Sequence, residues 1–180
     1  VLTEGAVTEP GYLAQWARRN RGIHFDLADS GMAPLTLVQR ARDYQQANRR
    51  SRRGRQGIDF DEIWCVFDVD QHPNLAQAIN EARQSGIGVA LSNPCFELWL
   101  ILHYEDQTAP IDRRAAQHRA RDLGATNGKR LKPDGIATLL SGYDDARRRA
   151  QRLQANHLET GPDPNRNPSS TVWELVDLFR

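Results

Sequence analysis

Two short apolar runs constrain this chain more than any other feature. Residues 63–67 (IWCVF) are apolar throughout, and residues 87–92 (IGVALS) nearly so. Strands that read as continuous apolar runs, rather than alternating ones, are buried on both faces, the condition of a parallel sheet covered by helices. Helical patterns flank both runs: a long one begins near Pro34 and runs to about residue 50, "NLAQAINEARQSG" stops at Gly86, and "NPCFELWLILHY" is apolar on nearly every face. Ahead of them, "VLTEG" reads as the end of a first strand turning at Gly5. A helix then starts near Thr8 or Glu9, with Pro10 tolerated in its first turn. A further strand is expected in residues 22–29, where Ile23, Phe25 and Leu27 alternate with polar neighbours.

Strand and helix thus alternate through residue 105, which predicts an α/β fold on a mostly parallel sheet flanked by helices. Beyond that point strand signals stop. Three helical patterns follow, joined by Gly- and Pro-rich segments, of which "TGPDPNRNPSS" is the clearest loop. The expected organisation is an α/β core over residues 1–105 and a helical C-terminal extension over 106–180 packed on the same domain. A length of 180 residues suits one domain with a real core.

No stretch approaches the roughly 18 consecutive apolar residues of a membrane span. The chain opens on Val1 without a methionine, so it is read as part of a longer protein. Cys65 and Cys95 sit in apolar surroundings without Cys-x-x-Cys spacing, which reads as reduced core thiols and a cytoplasmic location. The histidines show no zinc-ligand spacing.

Net charge is only +1, but the cations are clustered: five arginines fall in residues 48–56 and four in 147–152. Such runs are most often solvated helix faces or loop tips. Arginine is nevertheless used almost to the exclusion of lysine, and its planar fork suits phosphate. Both readings stand at this level. Arg49, Arg50, Arg52, Arg53 and Arg55 are therefore candidate nucleic-acid contacts. So are Lys129 and Lys132, among the few lysines, in a segment that reads as a flexible surface loop.

In an open parallel sheet, ligands bind outside the carboxyl ends of the strands. Glu4 lies at that end of the first strand, and Asp68 and Asp70 at that of the strand containing residues 63–67. Residues two apart on a strand project to one face, about 6 to 7 Å apart. Hard oxygen ligands of this kind suit Mg²⁺ or Mn²⁺, which keep several waters. The same pair could equally form a turn. "DFDE" at residues 59–62 also holds an Asp-x-Asp, but it precedes the strand and belongs to the opposite edge. Glu97, in the first turn of a buried helix, is costly unless paired, hydrogen-bonded or metal-bound. Asn93 is the expected N-cap of that helix and Pro94 its first residue.

These residues resemble a toprim (Rossmann-like) domain, with Glu-Gly after the first strand and Asp-x-Asp after a later one. "TEGAVTEPGYL", "FDVDQH", "SNPCFELWLILHY" and "NPSSTVWELV", in that order, are similar to the RloB-like family of bacterial proteins. The family pattern often carries a second glutamate after Glu-Gly, where this chain has Ala6.

The resemblance implies divalent-metal-dependent phosphodiester chemistry on DNA or RNA, in loci of restriction and abortive infection against phage, beside an ATPase partner. It makes Glu4 a general acid/base or metal ligand, with Asp68 and Asp70 holding Mg²⁺ (or Mn²⁺). Gly5, Glu9, Asn93 and Glu97 would line the site. Ser169, Ser170 and Thr171 would reach a phosphate if the C-terminal helix folds back over the sheet edge. Thr171-x-x-Glu174 also has capping-box spacing. No tyrosine stands out as a topoisomerase nucleophile, so water attack is the simpler expectation. Two alternatives remain at this level: a non-catalytic phosphate- or nucleotide-binding partner of an ATPase, and a primase-like nucleotidyl transferase.

Overall fold

Strand β1 (Leu2–Thr3) lies beside β2 (Trp64–Asp68), and β2 beside β3 (Gly88–Asn93), all three parallel. This computed structural model describes residues 1–19, 27, 30–54, 60–69, 73–158 and 166–180, with side chains for all of these except 50–54 and 158. The strand expected in residues 22–29 falls almost wholly outside the described residues. Ser30, just after it, bridges Thr3 in parallel on the free side of β1.

The helices occupy the expected stretches. They are α1 (Thr8–Arg19), α2 (Pro34–Gly54), α3 (Leu75–Gln84) and α4 (Phe96–Ile101) in the first part of the chain. After them come α5 (Arg113–Asp122), α6 (Ile136–Ser141), α7 (Tyr143–Leu158) and α8 (Val172–Val176). Helix α2 continues past the expected residue 50, and α3 closes where Gly86 takes φ +69°, a left-handed turn that favours glycine. Among the described residues none of these helices is long and apolar enough to cross a membrane.

Two corrections concern strands beyond residue 105. A small hairpin joins β4 (Thr126–Asn127) to β5 (Arg130–Leu131), with Gly128 at φ +61° in a two-residue turn, so Lys129 stands in an ordered turn and not in a flexible loop. Its strands are too short to show a period of two. The second is β6 (Ser169–Ser170), which pairs antiparallel with β3 and makes the main sheet a mixed one of four strands in the order β1-β2-β3-β6. The chain therefore does return to the sheet edge near its end, as a strand.

Two apolar clusters cover the sheet. Leu2, Leu37, Val38, Cys65, Phe67 and Ile79 form an aliphatic layer with α2 and α3. The other cluster is aromatic: Tyr12 meets Trp99 edge-on at 6.3 Å and Phe96 at 5.6 Å, while Trp16 meets Tyr143 at 5.0 Å. Every residue of α4 is buried, and its Phe96, Trp99, Leu100 and Ile101 belong to this cluster, so truncating the fully buried Trp99 to alanine costs about 3–5 kcal/mol. His103 is sealed there as well. Its Nδ1 donates to the Trp99 carbonyl at 2.8 Å, which leaves Nε2 to accept from the Tyr12 hydroxyl at 3.0 Å. Burial lowers its pKa to about 4, so the ring is neutral.

Two capping expectations fail for a shared reason, namely that the sheet claims the residues first. Asn93 pairs with Ser169 as the last residue of β3, so α4 starts later, at Phe96, with Cys95 at its N-cap. Thr171 precedes α8, but its hydroxyl accepts from the Leu91 amide at 2.9 Å and makes no cap bond. The Thr171 amide donates to the Leu91 carbonyl at 2.8 Å, extending the β3–β6 ladder.

Candidate functional site

The carboxyl ends of β1 and β2 bring Glu4 and Asp68 side by side: Glu4 Oε2 accepts from the Asp68 amide at 3.1 Å. Just beyond, the turn after Glu4 leads into α1, whose first turn buries Glu9. The space for Glu9 exists because residue 5 is glycine. A Cβ there would come within 2.0 Å of Glu9 Oε2, and the Gly5 backbone hydrogen-bonds the Glu9 carboxylate. Glu97 arrives from the first turn of α4 and Arg113 from the first residue of α5. Gly5, Glu9, Asp68, Glu97, Arg113 and Lys129 line a cavity of about 90 Å³.

The electrostatics of this cavity are out of balance. Asp68, 8% exposed, pairs through Oδ2 with Arg113 Nη2 at 2.5 Å. Its other oxygen, Oδ1, is buried and accepts no hydrogen bond among the described residues. Burial, then the negative charge of Glu9, pushes the Asp68 carboxyl well above its ordinary value, and the pull of Arg113 does not compensate. Burial also raises Glu9, against the hydrogen bonds its carboxylate accepts and with the charges of Glu97 and Glu4 adding to the rise. The cavity is thus lined by the carboxyls of Asp68, Glu9 and Glu97 against Arg113 and the exposed Lys129, with Glu4 adding to the negative charge on Asp68, an arrangement that low-dielectric surroundings penalise unless further positive charge arrives.

As a donor set this fits a hard divalent cation: carboxylate oxygens, one of them buried and unbonded. Among the described residues no group of three His, Cys, Asp or Glu side chains is arranged to hold a metal ion. Asp70, the second acid of the expected pair, lies outside the described residues.

The structure sorts the remaining candidates. Asn93, Ser169, Ser170 and Thr171 do not line the cavity. Ser170 Oγ meets Ser92 Oγ at 3.0 Å inside the β3–β6 pairing, and Asn93 pairs with Ser169. Lys132 donates its amide to Ala125 and extends the hairpin away from the acids. Arg49 lines a different, larger cavity of about 530 Å³ beside the beginnings of β2 and β3, together with Asp61 and Glu62 of the "DFDE" tract. The described residues of that tract, 60–62, therefore sit at the opposite edge, as their sequence position indicates. The side chains of Arg50, Arg52 and Arg53, and all of Arg55, lie outside the described residues.

Sequence reasoning missed Arg113. One signal was available: a cation at the first position of a helix opposes the helix dipole, so "DRR" after the N-cap Asp112 required a local acid to explain it. The C-terminal arginine run has an ordinary explanation, since Arg147, Arg148 and Arg152 pair with Asp177, Asp145 and Asp106.

Comparisons with curated proteins and with solved structures return no significant match. A family model described as RloB-like protein matches residues 1–179. The motifs that form the acid cavity and the β3–β6 pairing all lie within that match, and the chain belongs to the RloB-like family.

Proposed function

We propose that this protein is a divalent-metal-dependent phosphodiesterase of toprim type, a nuclease acting on DNA or RNA in phage defence. The observation that carries the reading is the unbonded, buried Asp68 Oδ1 in a cavity lined by three carboxyls against two cations. An unpaired carboxylate oxygen is expensive to bury, and persists in folded proteins mainly where a ligand completes it. Asp68 and Glu4, with Asp70, would hold Mg²⁺ or Mn²⁺, which when bound polarises a phosphate and lowers the pKa of a coordinated water.

The remaining roles belong to the chain. Arg113 fixes the Asp68 carboxylate through Oδ2 and leaves Oδ1 without a hydrogen bond among the described residues. Hydrolysis takes one proton from the attacking water and delivers one to the departing ester oxygen. Glu4, anchored on the Asp68 amide, is the group beside Asp68 for that exchange. An ATPase partner, implied by the family, would act on this site from outside.

The test is a cleavage assay of the full chain on DNA and on RNA, single- and double-stranded, with Mg²⁺, Mn²⁺ or EDTA. Cleavage that requires the metal and disappears in a folded Asp68→Asn variant is the expected result. Undiminished cleavage by that variant would sink the assignment. A folded wild type that binds the metal but cleaves nothing would favour the non-catalytic, ATPase-linked role.

A further inference from the structure

The described cations differ in pairing, and the unpaired ones placed beside the acid cavity mark a binding surface. Arg119, Arg148, Arg152 and Arg180 each pair with an acid of the same chain. Arg114 and Arg121 on α5, and Lys129 and Arg130 in the β4–β5 turn, are exposed and form no ion pair among the described residues. Exposed cations without an ion pair among the described residues also lie elsewhere, Arg18 and Arg19 on α1 and Arg49 and Arg83 at the opposite edge among them, but Arg121 and Lys129 are tied to the acid cavity, Arg121 through a row of α5 whose first member, Arg113, pairs with Asp68. Arg113, Gln117 and Arg121 follow one another at four-residue spacing and so form a row along one side of α5. The row begins in the acid cavity, which Arg113 and Gln117 both line. Lys129 lines the same cavity from the hairpin, whose turn is tied to α1 by the Thr8 hydroxyl donating to the Lys129 carbonyl at 2.7 Å.

An acid cavity lined by the exposed Lys129 and by Arg113 on Asp68, with Arg121 farther along the same row of α5, matches a polyanion that must be held while one of its phosphates is presented to a metal. We infer that the Arg113–Gln117–Arg121 row of α5 and the Lys129–Arg130 turn form the ledge on which a nucleic-acid backbone lies beside Asp68. This inference rests on the proposed phosphodiesterase and names its substrate-binding wall. It moves recognition away from the arginine-rich segment at residues 48–56, whose described member Arg49 lines the cavity at the opposite edge of the sheet. It also gives the C-terminal half of the chain a part in the site. Backbone contacts of this kind are read through the phosphates, so the ledge favours no base sequence.

The experiment uses the full chain and measures binding, not cleavage. Fluorescence anisotropy of labelled duplex and single-stranded DNA and RNA is recorded across a salt series with Ca²⁺ in place of Mg²⁺. Arg121→Gln/Lys129→Gln is compared with Arg148→Gln/Arg152→Gln. Each lowers the net charge by two, and all four side chains are exposed, so thermal unfolding should show folded protein in both cases. The ledge variant should bind about tenfold or more weakly at moderate salt, and its log–log salt slope should shrink by about 1.8 on a duplex or about 1.4 on a single strand. The matched control should keep the wild-type slope. Equal losses in the two variants, an unchanged ledge variant, or a wild type that binds no nucleic acid would each overturn the ledge. Ledge-dependent binding without any cleavage in Mg²⁺ would leave the ledge standing and remove the nuclease. Cleavage unaffected by the ledge variant would do the reverse.

Discussion

The two edges of the sheet hold the two cavities described above, and they differ in how far their polar groups are satisfied. At the amino edge the space is about 530 Å³, against about 90 Å³ at the carboxyl edge. The larger space is chemically quiet. Asn48 clamps Phe60 by donating to its carbonyl at 2.8 Å and accepting from its amide at 3.1 Å, Gln45 donates to the Ser85 carbonyl at 2.8 Å, and Trp64 Nε1 donates to Glu62 at 2.7 Å. The side chains of Gln45, Asn48 and Glu62 are thus held by their own neighbours. At the carboxyl edge, Asp68 Oδ1 has no hydrogen bond and the carboxyls of Asp68 and Glu9 are pushed upward. A ligand is called for by charge and hydrogen-bonding capacity left unsatisfied, and volume alone does not indicate it.

The comparison breaks first at Glu4. Glu4→Gln keeps an acceptor for the Asp68 amide but removes a charge, so the fold should persist while metal-dependent cleavage falls by about 10²-fold or more. Steady-state cleavage rates, with circular dichroism as the fold control, check this.

Gly5→Ala sharpens the contrast differently. The new methyl group would displace the Glu9 carboxylate, the movable end of a side chain, and not any backbone atom. We expect a loss of about tenfold in cleavage or metal affinity, with a stability change near 1 kcal/mol. A loss of several kcal/mol in denaturant titration would mean that Gly5 serves the fold and not the site.

A third prediction concerns a buried polar group remote from either edge. His103 has its pKa lowered to about 4 by burial, so between about 4 and 6.5 the unfolded chain binds a proton that the folded chain does not. Its contribution is therefore present above pH 6.5 and is lost as pH falls toward 4, by up to about 3 kcal/mol. Asp68 and Glu9 are shifted the other way, their raised values favouring the folded state at lower pH. Taking the difference in unfolding free energy between wild type and His103→Gln removes the acids from the measurement, and that difference should narrow as pH falls. A constant difference from pH 7 to 4 would show that His103 is not sealed in its neutral form. The smallest effect belongs to the amino edge, where Arg49→Gln should change cleavage by less than about twofold; electrostatic neutralisation matters where the substrate lies.

Much of the site was readable from sequence because its geometry follows from one strand. A buried run ending in an acid fixes Asp68 at the carboxyl edge, and Glu4 follows from the parallel neighbour β1. Gly5 and Glu97 were readable as a turn and as a buried charge. Arg113 was not, since it comes from 45 residues away and its helix is polar on its exposed side. The Lys129 turn was missed because strands of two residues carry no periodicity. Asn93 and Thr171 had good capping chemistry, but tertiary pairing with Ser169 and Leu91 overrode the local preference.

The most direct test of the central claim is calorimetric titration of the full chain with Mn²⁺ at neutral pH, beside Asp68→Asn of verified fold. The account predicts metal binding by the wild type and its loss in the variant. Equal binding by both proteins, or none by a folded wild type, would contradict it.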